Sequence, residues 1–182
     1  MSLFTHEQVS IMAAERLGLD ESAALDLQPL VPSALNALSV EIASNPQKRQ
    51  WLLTDPSTTT ATLTSNAADI STLVSTNGVL KDFLRYGFIY YNSITGQALI
   101  WINQTGAGRL AGPFDSIFNH CYLQGDTLYT RGPSVTALSG TLHFAVPYTP
   151  SLSQLPEQLV DDLVTTIVKL RTTRGKAEAN AA

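Results

Sequence analysis

The chain has 182 residues, 44% of them hydrophobic and 14% charged, with a formal net charge of −4. That apolar fraction supports a sizeable core, in one domain or in one domain with an elaborated insert, and excludes a disordered chain. Counterion release needs clustered cations, and with only 11 Lys and Arg in an acidic chain the balance argues against a nucleic-acid-binding domain.

The charged fraction lies well below the roughly 25% of ordinary soluble domains, and Thr, Ser, Ala and Asn make up the difference. Such a surface is inexpensive to desolvate, which fits a subunit that lives in an assembly. The single cysteine, Cys121, excludes an internal disulfide and fits a reducing cytoplasm. No apolar run approaches the eighteen or so residues of a membrane-spanning helix, and MSLFTHEQ lacks a signal core. The chain is therefore expected to be made and kept in the cytosol, or in something assembled there, with no membrane partner.

Taken in order, FTHEQVSIMAAERLGLD reads as a helix. Thr5 and Gln8 have capping-box spacing, Val9, Met12, Ala13 and Leu17 mark one face, and Gly18 supplies the stop. DESAALDLQPL has room for a short helical turn. A second helix is expected from Pro32 to Ala43, with Ala34, Leu35, Leu38 and Ile42 inward and Asn45-Pro46 ending it. RQWLLTDPSTTTATLT then turns β-branched, with a bend at Asp55-Pro56. From Thr58 to Tyr148 mainly strands are expected. VLKDFLRY fits helix or strand equally.

Two hairpins stand out: FIYYNSITGQALIWIN around Gly96, and FNHCYLQGDTLYTRG around Gly125-Asp126. In the second, Phe118, His120 and Tyr122 alternate with Asn119, Cys121 and Leu123. In TLHFAVPY, Leu142, Phe144, Val146 and Tyr148 alternate with Thr141, His143, Ala145 and Pro147, the period of a strand with one buried face. After Pro156, suited to a first helical position, the period becomes helical: Leu159, Val160, Leu163, Val164, Ile167 and Val168 share one side. TTRGKAEANAA has no apolar period and reads as a solvated tail.

The expected fold is therefore α+β, a small helical bundle of N- and C-terminal helices with a β-rich insert, sandwich or small barrel. Its expected divisions are 1–50 for the first helices, 51–150 for the insert, 151–171 for the last helix packing on the first ones, and 172–182 for a flexible tail.

Residues for chemistry are scarce. His6, His120 and His143 sit on different elements without zinc spacing, although His120 and His143 could face each other on adjacent strands. Cys121 beside His120 points to the opposite face of a strand. Gly106, Gly108 and Gly112 approach the dinucleotide fingerprint but precede Pro113-Phe114-Asp115 instead of a helix. Asp161 and Asp162 diverge by about 100° on a helix, which suits the helix dipole and not acid–base pairing. No catalytic, cofactor or metal site is expected.

The run YLQGDTLYTRGPSVTALSGTLHFAVPYTPSLSQLPEQLVDDLVTTIVKLR resembles the C-terminal half of head–tail adaptor (connector, head-completion) proteins of tailed double-stranded DNA bacteriophages. The features that carry it are Tyr122, Gly125, Asp126, Leu128, Tyr148, Leu155, Pro156 and Glu157, and KRQWLLTDPSTTTATLT is similar to the family's lead into its β insert. The resemblance implies a non-enzymatic protein of the virion neck, assembled in the host cytoplasm. It implies a ring, expected to be dodecameric, that joins the portal protein to a tail or stopper protein and encloses DNA without reading its sequence. Within it, Leu159, Val160, Leu163, Val164 and Ile167 are expected on the ring-forming helix, and Lys169, Arg171, Arg174 and Lys176 on a portal-binding tail. The alternative is a carbohydrate-binding β-sandwich module of a tail fibre or adhesin, with Trp51, Trp101, Tyr90 and Tyr91 as stacking platforms.

Overall fold

A computed structural model describes residues 4–102, 120–131 and 138–181, for Arg131 and 177–181 in their backbone alone. The fold is α+β. It divides into a helical unit, Met1–Leu52 with Thr149–Ala182, and a β-rich unit, Leu53–Tyr148.

In the helical unit, α1 (His6–Arg16) starts at a reciprocal capping box. The Thr5 hydroxyl accepts from Gln8 N–H at 3.2 Å, and Gln8 Oε1 accepts from Thr5 N–H at 2.9 Å. Gly18, at φ +67°, ends it. A 3-10 turn, α2 (Ala24–Leu27) and a second 3-10 turn lead directly into α3 (Val31–Ser44). The last helix begins later than Pro156 suggested. Glu157–Leu159 form a 3-10 turn, and α5 runs from Val160 to Ala181. It therefore continues through residues expected to form a flexible tail. Arg, Lys, Ala and Glu there favour helix without needing a buried face.

One core joins these helices. Val9, Ala13 and Ala14 of α1 meet Val31, Ala34, Leu35, Leu38 and Ile42 of α3 and the apolar stripe of α5. The fully buried alanines let helix axes approach closely.

The β-rich unit contains two sheets. One has the order β1 (Thr60–Leu63), β7 (Gly140–Ala145), β3 (Phe88–Tyr91); the other has β2 (Ala67–Asp69), β6 (Thr127–Arg131), β5 (His120–Gln124), β4 (Ile100–Trp101). Leu63, Ile89, Leu142 and Phe144 from the first share a core with Ala68, Cys121 and Leu128 from the second. The β5–β6 hairpin turns at Gly125 (φ +62°), with Gln124 opposite Thr127. Its expected first residues, Phe118 and Asn119, lie outside the described residues, as do Gly106, Gly108, Gly112 and Pro113-Phe114-Asp115.

The other hairpin departs from expectation. Tyr90 bridges Ala98 and Leu99 N–H donates to Ile89 C=O at 2.7 Å, but β4 then pairs parallel with β5 in the second sheet. A turn at Ser65-Asn66, both at positive φ, likewise connects β1 in one sheet to β2 in the other. A seven-residue helix, α4 (Ser71–Asn77), interrupts the expected run of strands and ends at left-handed Gly78. VLKDFLRY resolves into a bridge at Val79 and a 3-10 helix at Lys81–Tyr86.

Where the chain enters and leaves this unit, the two passages are bonded together. Thr54 N–H donates to Val146 C=O (2.9 Å), while the buried Thr54 hydroxyl donates to Phe144 C=O (2.6 Å) and accepts from Val146 N–H (3.1 Å). Thr54→Val keeps the shape and removes both side-chain bonds, so it should destabilise the β-rich unit by about 2 kcal/mol. Urea unfolding followed by Trp101 fluorescence in a Trp51→Phe background reads this unit alone.

Gly87 makes a second local test. A Cβ there would lie 2.4 Å from Ala145 O, so Gly87→Ala should lower the same midpoint, whereas Gly175→Ala, in open space, should not.

Candidate functional site

The residues expected on the ring-forming helix pack inside the chain's own helical unit. Leu159, Val160, Leu163, Val164 and Ile167 are at most 2% exposed and lie in the chain's own core. A side chain packed there has no face left for a neighbouring copy. The cations behave oppositely. Lys169, Arg171, Arg174 and Lys176 are all exposed, and exposure is continuous from Arg171 to Lys176. Arg171 and Arg174 are three residues apart and neighbour each other on the helix surface, while Lys169 and Lys176 share another face two turns apart. Among the described residues none of the four forms an ion pair. From Arg171 to Ala181 the helix spans about 16 Å at its usual rise.

Asp161 and Asp162 do more than face the helix dipole. Asp161 accepts from Arg16 of α1, which also donates to Thr165 Oγ1 at 2.7 Å. Asp162 pairs with Lys48 at 3.2 Å. Adjacent positions on α5 thus hold two different segments of the helical unit.

The three histidines remain apart. His6 is on α1, and His120 and His143 are on strands of different sheets, which corrects the expectation that they could be neighbours. Among the described residues no group of His, Cys, Asp and Glu is placed to hold a metal ion, and no helix is long and apolar enough to cross a membrane. A cleft of about 330 Å³ in the β-rich unit is lined by Lys81, Asp82, Leu84, Arg85, Trp101, Ile102 and Leu123. Its cations are engaged: Lys81 pairs with Asp126, and the Arg85 guanidinium sits 4.8 Å from the centre of the Tyr86 ring.

The four aromatics of the carbohydrate alternative are not assembled. Trp51 belongs to the helical unit and Trp101 to the second sheet, and Tyr91, next to Tyr90 on β3, points to the opposite face and packs on the core. Strand register gathers a different set. Thr60, His143 and Tyr90 form one cross-strand row on the outer face of the first sheet, with Thr62 and Thr141 beside it and Phe88 on the other side. Phe88 is 53% exposed, and its ring lies 6.4 Å from that of Tyr90 at 25°. Period-two alternation in FIYY carried a signal for Phe88, but the threonines become part of the face only through pairing with β7.

His143 Nδ1 lies 2.9 Å from Pro56 O. A carbonyl only accepts, so Nδ1 carries a proton, and Nε2 is the ring nitrogen left for another partner.

The chain matches no family model, no curated protein and no solved structure.

Burial pushes the Cys121 thiol up from its ordinary 9.0 to about 12, and burial also raises Tyr148. Both groups are held in the protonated form, so the unfolded chain ionises first. Stability should be fully present at neutral pH and fall as pH rises from about 9 towards 12. Urea titrations at stepped pH check this, and Cys121→Ala should flatten the slope.

Proposed function

We propose that the chain is a structural protein of the neck of a tailed double-stranded DNA bacteriophage, a subunit of an adaptor ring that joins the portal to the tail or next neck protein and extends the DNA channel. The observation that carries this reading is the run of exposed cations on α5 from Lys169 to Lys176. The buried stripe of α5 is locked in the helical core as far as Ile167, and the cations that follow are solvated and unpaired among the described residues. A preformed helix can meet an acidic portal surface without the ordering cost of a disordered tail. Its reach is that of a helix, about 16 Å, and not that of an extended strand.

With the α5 stripe used internally, contacts between ring subunits fall to other surfaces. Leu19, Leu25, Val40 and Trp51 of the helical unit are exposed apolar residues suited to this. A head-to-tail contact repeated twelve times closes when a template fixes the rotation, and the portal is that template. The low charge density favours wide buried contacts, and the net charge of −4 favours a conduit that does not grip DNA.

Truncation after Leu170 should leave a folded, soluble subunit that no longer co-sediments with purified portal rings. Arg171→Glu with Arg174→Glu should weaken binding by at least about tenfold. Wild-type affinity in both variants overturns the reading.

A further inference from the structure

We infer that the outer face of the β1–β7–β3 sheet is a binding site for a neutral carbohydrate. This goes beyond the neck assignment and does not depend on it. The face has two halves. Phe88 and Tyr90, two residues apart on β3, stack with their planes at 25°, and Phe88, half exposed, offers an apolar surface for the apolar face of a pyranose ring. Thr60, Thr62 and Thr141 are exposed beside it, each with a hydroxyl that donates and accepts.

Between the halves stands His143, paired in register with both Thr60 and Tyr90. With Nδ1 directed to Pro56 O, the remaining ring nitrogen, Nε2, is left to bond a sugar hydroxyl, which both donates and accepts.

Charge matching selects the ligand class. Thr60, Thr62, Phe88, Tyr90 and Thr141 carry no formal charge, and His143 is the one titratable ring among them apart from the Tyr90 phenol. An anionic or strongly charged partner would lose hydration here without an opposite charge in return. A neutral polyhydroxyl ligand keeps its hydrogen bonds through the threonines, Tyr90 and His143. The opposite face of the same strands, Ile89, Leu142 and Phe144, is in the core, so the platform is held rigidly before any ligand arrives.

The test is calorimetric titration of the full chain with soluble hexasaccharides derived from cellulose, starch, chitin, mannan and galactan, each to about 10 mM. Saturable binding of at least one is expected, weakened at least about tenfold by Phe88→Ala and by Tyr90→Ala. Phe88, 53% exposed, is expected to tolerate substitution with the fold retained, checked by thermal melting, which keeps the result interpretable if Tyr90→Ala is less stable. No binding across the panel, or binding that survives Phe88→Ala, overturns the inference. So does self-association of the chain that Phe88→Ala abolishes while no sugar binds, because the face is then a protein interface. Failure of portal binding leaves this outcome untouched.

Discussion

The structure depends on the three hydrogen bonds that tie Thr54 to the segment leaving the β-rich unit. Inserting that unit between the first three helices and α5 forces the two ends of the insert together. For a free loop of its length, closure would oppose folding of the helical core by about 4 kcal/mol. The Thr54 side chain spans Phe144 C=O and Val146 N–H while its own N–H reaches Val146 C=O, and Leu53 bridges Pro147 beside it. Once the β-rich unit has folded, its ends are already adjacent. The helical core then experiences a short connection in place of a long one.

This division of labour explains why each unit has a complete core of its own. Leu27, Leu38, Leu159 and Leu163 are buried among helices, and Ile89, Leu128, Leu142 and Phe144 among strands. It also explains the placement of the ion pairs. Arg16–Asp161 and Lys48–Asp162 are exposed enough that solvent screens them, so each adds little stability. Their value is in register: two successive carboxylates on α5 reach partners on different segments and favour one rotation of the helix over others.

Much of this was legible in the sequence where the determinant is local. Thr5, Gln8 and Gly18 define α1 without help from elsewhere, and Gly125-Asp126 defines the β5–β6 turn. The α5 stripe announced burial against the first helices, and Leu159, Val160, Leu163, Val164 and Ile167 are covered there by the chain itself. The extension of α5 past Leu170 was missed for the converse reason: its sequence, exposed from Arg171 to Lys176, has no apolar period to read. The short helix α4 was hidden by Thr72, Val74 and Thr76, whose β-branched character suits strands, whereas Asp69 and Gly78 at its ends set the conformation. The parted arms of β3 and β4 needed the partner strand β5, which local sequence does not contain.

The outer face of the first sheet shows the same limit from another side. Threonines at 60, 62 and 141, exposed Phe88 and half-buried Tyr90 are unremarkable as separate residues. Antiparallel register turns them into one surface, because Thr60, His143 and Tyr90 fall in a single row across three strands. The burial of Leu142 and Phe144 fixes that register, since a slip of one residue would send both to solvent. The apolar side of the sheet therefore determines what the polar side can recognise, and a change in the core at Phe144 would alter the outer face without touching any residue on it.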